Sequence, residues 1–199
     1  MERNKLQSLL SQYRLKDRLR TGWVLREVST PESVADHSWG TAHLVLLFAA
    51  EAGVNRERAL ALALVHDLAE AETGDFPRRV SPGAQPLARE EKAKREADAM
   101  ARVGESFPEL ETLWREYEEA ETAEALFVRD MNLIDMCLQA LLYERDRRYS
   151  DHRSAAFPDY DGLDEFFATS GPRVSTDTGS AMFMAVESEY RAVRSRSQR

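Results

Sequence analysis

The chain has 199 residues, a net charge of −8, 43% apolar and 31% charged residues. That length suits one domain with a real hydrophobic core, and the acidity argues against nucleic-acid polymers or anionic membranes as partners. A single cysteine, Cys137, excludes an internal disulfide and fits a reducing, cytoplasmic setting.

Residues 3–18 place Leu6, Leu9, Leu10 and Tyr13 at the spacing of one apolar helical stripe. The first 20 residues are charged from residue 2 and read as no signal peptide. The stretch to Ser33, with Gly22 and Pro31, reads as a loop. Ser33 is placed to cap a helix running to about Glu51 and closed by Gly53, and Asn55 to cap one over 56–71 that stops near Gly74. "PRRVSPGAQP", 77–86, reads as a loop. Residues 87–104 predict a charged amphipathic helix, Pro108 starts another, and Thr122 caps a long one through Arg147. Residues 150–178 hold at most a short helix at 161–168, and a last helix covers about 179–194. Strand alternation and internal repeats are absent, and the longest apolar run, near 42–50, is too short to span a bilayer. The expectation is an all-α, single-domain bundle over 1–199.

"LALVHDLAEAETGD", residues 62–75, sets His66 and Asp67 into an otherwise aliphatic helix pattern. Burying an imidazole and a carboxylate there is costly unless something satisfies them. His37, in "ADHSWG", sits in a comparable setting. Two imidazoles and a carboxylate suit one divalent transition metal ion such as Mn, Co, Fe, Ni or Zn. Glu70 falls one turn beyond His66 and Asp67, in place to direct water, and Asp75 can turn back after Gly74. The plainer alternative is a hydrogen-bonded polar cluster in the core.

Other residues read more plainly. His43 lies about 240° around the helix from His37 and is taken as core packing. His152 reads as a solvated loop residue, and Trp39 and Trp114 as packing residues. Arg78 and Arg79 read as a solvated basic pair bordering the site. Cys137 reads as buried filler, since no histidine is near it in sequence.

The segments "RTGW", "ESVADHS", "LALVHDLAEAETGD", "EEKAKRE" and "LQA", in that order, resemble the HD-domain 5′-deoxynucleotidases over about residues 5–195. The resemblance implies an HD-type helical bundle with its metal-site core at about 20–146, a homodimer, and hydrolysis of nucleoside 5′-monophosphates, deoxyribose preferred. Metal ligands would be His37, His66 and Asp67, and Glu70 and Asp75 the catalytic acids. Trp23 would crowd the sugar 2′ position, and Arg20 or Arg26 would face the phosphate. One ligand departs: Asn132 stands where the resemblance expects a metal aspartate, and a neutral oxygen stabilises a dication less. Asp135 could substitute if the register shifts, whereas Asp130 points away. The alternative is a catalytically weakened protein that binds nucleotide as a sensor. A phosphodiesterase fits less well, since the chain has one HD pair.

Overall fold

Local capping chemistry sets the starts of several long helices. In this computed structural model, which describes residues 2–80, 86–149 and 159–197, the Ser33 hydroxyl accepts from Asp36 N while the Asp36 carboxylate accepts from Ser33 N. This reciprocal box satisfies two backbone donors and begins the helix Val34–Phe48. The Asn55 side chain accepts from Arg58 N, and Thr122 from Ala125 N, to start Arg56–Val65 and Ala123–Arg145. Pro108 opens Pro108–Glu119, where its missing N–H costs nothing.

The described residues form ten α-helices: α1 Arg3–Gln12, α2 Thr21–Leu25, α3 Val34–Phe48, α4 Arg56–Val65, α5 Glu70–Thr73, α6 Arg89–Gly104, α7 Pro108–Glu119, α8 Ala123–Arg145, α9 Asp164–Ser170 and α10 Asp177–Ser197. The long α8 is the central rod, packed by α3, α4, α7, α9 and α10. On one side Leu62, Phe127, Met131 and Ile134 are fully buried between α4 and α8. Each such side chain contributes about 1.5–3 kcal/mol of hydrophobic burial. A second cluster joins Trp23, Tyr143, Phe166, Phe167 and Tyr190 around α2, α8, α9 and α10.

Asp130, buried on α8, accepts from Ser175 N and Thr176 N and from the Thr176 hydroxyl. It anchors the start of α10, consistent with its pointing away from the site.

Several expectations need correction. Residues 3–18 break after Gln12 into a 3-10 turn, Tyr13–Lys16. The loop before Ser33 contains α2. The helix expected over 56–71 ends at Val65, because Leu68 N, Glu70 N and Ala71 N bond three residues back rather than four. Such tightened turns are common at helix ends, and here they carry His66 and Asp67. His43 is exposed, its ring stacked on that of Trp39 at 5.2 Å, because His37, Thr41 and Val45 take the inner face of α3. Trp39 itself is 67% exposed, whereas Trp114 is buried as expected. Arg79 is buried too, not solvated, with its guanidinium on the Glu165 carboxylate. His152 and residues 81–85 lie outside the described residues.

Candidate metal centre

Two imidazoles from neighbouring helices meet edge to edge. His37, on the second turn of α3, and His66, just past α4, bring their Nε2 atoms to 3.3 Å. Hydrogen bonds on the opposite nitrogens set both tautomers. His66 Nδ1 is 2.8 Å from the Ala63 carbonyl oxygen, and His37 Nδ1 is 2.6 Å from Asp135 Oδ2. Both partners are acceptors, so in the neutral rings both Nδ1 atoms carry the proton and both Nε2 atoms present lone pairs. Asp67 Oδ2 completes the group, 3.2 Å from His66 Nε2 and 3.6 Å from His37 Nε2.

Three acceptor atoms facing one another inside a protein repel unless a cation lies among them. Ligand atoms held about 2.0–2.2 Å from a common ion lie roughly 3–3.6 Å apart, so the residues present fit a divalent metal. His37 and His66 are essentially inaccessible to solvent. Burial, then Arg20, hold the His37 imidazole down to about 3. Burial also opposes charge on His66, but Asp67 beside it more than offsets this and leaves it above its ordinary value. Asp67 stays well below the carboxylate range, because His66 and Arg20 outweigh its burial.

Asn132 lines the same cleft as Asp67. Its Nδ2 donates to the Tyr117 hydroxyl at 2.8 Å, and its amide oxygen has no hydrogen-bond partner among the described residues. Asp135 does not replace it: the carboxylate meets the far nitrogen of His37, not the tripod. Asp135 comes that close because α3 carries glycine at position 40, where a Cβ would stand 1.9 Å from Asp135 Oδ1.

The rest of the cleft is built around Arg20. Its Nη1 lies 3.2 Å from Asp67 Oδ2, 3.4 Å from Asp75 Oδ1 and 3.8 Å from Glu70 Oε2. Asp75 also accepts from Thr21 N at the start of α2, so both its oxygens are engaged. That bonding fits a residue that positions Arg20 rather than one that moves protons. Gly74, at φ 84°, makes the turn that returns Asp75 to the site. Glu70 is 2% exposed and its Oε2 has no hydrogen bond. Burial, with Asp67 and Asp75 nearby, raises its carboxyl well above the usual range.

Of the two arginines left open by the sequence, the structure places Arg20 in the cleft and turns Arg26 away, its guanidinium donating to the Tyr160 carbonyl. Trp23 borders the cleft but is 1% exposed. It stacks on Phe166 at 4.0 Å, meets Tyr143 edge to face, and donates from Nε1 to Glu32. Sequence spacing pointed to no role for Lys92, whose Nζ lies 3.7 Å from Glu70 Oε1 and 3.3 Å from Glu96. Tyr117 was equally silent, since its tie to Asn132 crosses from α7 to α8.

Residues 13–162 match the HD domain family. The 5′-deoxynucleotidase HDDC2 of Bos taurus is 44% identical over 147 residues, 71% of this chain and 69% of that protein. The 5′-deoxynucleotidase hdd1 of Schizosaccharomyces pombe is 36% identical over 141 residues, 66% of this chain and 68% of that protein. A crystal structure of a Pyrococcus horikoshii protein superposes with a TM-score of 0.72 at 33% identity, covering 94% of this chain and 98% of that one.

Proposed function

Because the chain belongs to the HD-domain family and groups with its 5′-deoxynucleotidases, we propose that it hydrolyses deoxyribonucleoside 5′-monophosphates to nucleoside and phosphate. HD domains bind divalent metals. The observation that carries the reading is the tripod of His37, His66 and Asp67, with Arg20 and Glu70 lining the same side.

His37, His66 and Asp67 would hold the ion, and the Asn132 oxygen, in the lining of the same cleft, would be a neutral fourth donor. When bound, a divalent ion of the Mn, Co, Fe, Ni or Zn group supplies Lewis acidity and lowers the pKa of water. Arg20, steadied by Asp75, offers a guanidinium to the phosphate oxygens. Glu70, with its raised affinity for protons and an oxygen that makes no hydrogen bond, orients the attacking water or passes a proton to the departing 5′ oxygen. Trp23, clamped by Phe166 and Glu32, forms a rigid wall against a 2′-hydroxyl. Rejection of one group by an apolar wall is modest, so deoxyribose is preferred rather than required.

Asn132 alone speaks for the sensor alternative, and the convergence of Glu70, Arg20 and both imidazoles favours turnover. The test is phosphate release from deoxy- and ribonucleoside 5′-monophosphates with added Mn²⁺ or Co²⁺, alongside metal analysis. Release from monophosphates, deoxy faster, supports the proposal; nucleotide binding without release under any metal sinks it.

The protein acts as a cytoplasmic homodimer in this reading. No described helix is long and apolar enough to cross a membrane. Support for self-association is the exposed stripe of Trp39, Leu46 and Leu47 on α3, a surface of the kind that marks an interface. Sedimentation showing only monomer would remove that part.

A further inference from the structure

The cleft, about 130 Å³ in volume, has two unlike ends. At the inner end every cation is matched by acids: Arg20 faces Asp67, Glu70 and Asp75, and Lys92 faces Glu70 and Glu96. At the open side the lining includes Arg78 and Arg173, both solvent-exposed. Among the described residues neither has a carboxylate within ion-pairing distance. The protein carries eight more negative than positive charges, so two unmatched guanidiniums in one cleft go against its general balance.

Their proximity is built in. Glu165 on α9 accepts from Arg79 Nε at 3.1 Å and from Val80 N at 2.9 Å, which pins the 77–80 segment to α9. The chain leaves α9 directly into the 3-10 turn Gly171–Arg173. The buried Arg79–Glu165 pair thus ties the segment that carries Arg78 to the helix that leads into Arg173, and both arginines line the cleft. Packing around the Arg173 guanidinium, then repulsion from Arg78, lower it to about 10, with Arg129 and Arg89 adding to the effect. Like charges crowded this way are relieved by an anion, and paired guanidinium forks match phosphate oxygens.

We propose that Arg78 and Arg173 form a second phosphate subsite, and that the cleft takes nucleotides carrying another phosphate besides the 5′ one, such as deoxynucleoside 3′,5′-bisphosphates. This rests on the nucleotidase reading. In the reaction, water adds to the 5′ phosphorus, the P–O5′ bond breaks and a proton passes to O5′. The products are the nucleoside 3′-phosphate, still held by the two arginines, and inorganic phosphate.

The test compares kcat/KM for deoxyadenosine 5′-monophosphate and deoxyadenosine 3′,5′-bisphosphate on the Mn²⁺-loaded full chain and on Arg78→Met, Arg173→Met and Arg173→Lys. The bisphosphate should be favoured by about tenfold, a modest factor because exposed ion pairs are screened. That ratio should fall toward one in both methionine variants and survive largely in Arg173→Lys. A general structural defect would lower both rates and leave the ratio unchanged. Calorimetric binding of deoxyadenosine 3′-monophosphate to the metal-free chain gives a second readout, with about tenfold weakening expected in Arg173→Met. A ratio of one in the native chain while the monophosphate is still hydrolysed overturns the subsite and leaves the nucleotidase reading standing. No release from either compound overturns the nucleotidase reading, and the calorimetry then decides the subsite alone. Binding of inorganic phosphate with the same arginine dependence, without any bisphosphate preference, overturns the nucleotide assignment in favour of a free-ion site.

Discussion

Asp135 grips His37 from behind: its Oδ2 lies 2.6 Å from Nδ1, on the ring nitrogen opposite the one that faces His66. A carboxylate in that place holds the ring's orientation and tautomer and makes the free nitrogen a better donor to a metal. Asp135→Asn should weaken metal retention by roughly 10–100-fold, measured by competition with a chelator. Gly40→Ala should act in the same direction, since its Cβ would stand 1.9 Å from Asp135 Oδ1. Unaltered retention in both variants would mean that other contacts orient His37.

Asn132→Asp gives the proposed ligand set a second carboxylate beside Asp67. The Tyr117 hydroxyl, which now accepts from the amide at 2.8 Å, can donate to a carboxylate instead. Metal retention should tighten by about tenfold or more through the added charge, and phosphate release should rise with it. If both stay level, position 132 contributes nothing to the ion.

Glu70→Gln keeps the shape of the buried side chain and removes its proton chemistry. Turnover should fall by roughly 10²–10⁴-fold, the usual scale for a lost general acid or base, while metal content stays the same. A variant that loses metal along with activity would assign Glu70 to holding the site rather than to the reaction.

Glu96 gives a pH signature in the metal-free chain. Burial, opposed by Lys92, raises its carboxyl from 4.5 to about 7. The folded state therefore binds this proton more tightly, and the associated stability is complete below about 4.5 and lost as pH climbs through about 7. With the side chain 13% exposed, the loss is on the order of 1–2 kcal/mol. Glu96→Gln should match the parent in denaturant midpoint at pH 5 and exceed it at pH 8. Equal midpoints at pH 8 would show that Lys92 keeps Glu96 ionised at no cost.

What could be read along the chain is what is decided within a turn or two of it. The caps at Ser33, Asn55 and Thr122 and the proline start at 108 are side chains satisfying their own backbone, so they lie within reach of local pattern. The grouping of His66, Asp67 and Glu70 is legible for the same reason, being one stretch of eight residues from Ala63 to Glu70.

Packing decided the rest. Helical periodicity says which face of a rod is apolar but not which rod lies beside it. Only the meeting of α3 with α4 brings two imidazole nitrogens to 3.3 Å, and only the room above Gly40 sends Asp135 to the back of His37. The choice of Arg20 over Arg26 likewise depends on where α2 lands relative to Asp75. Those outcomes join residues tens of positions apart, where the free energy belongs to close-packed surfaces and not to any local sequence preference.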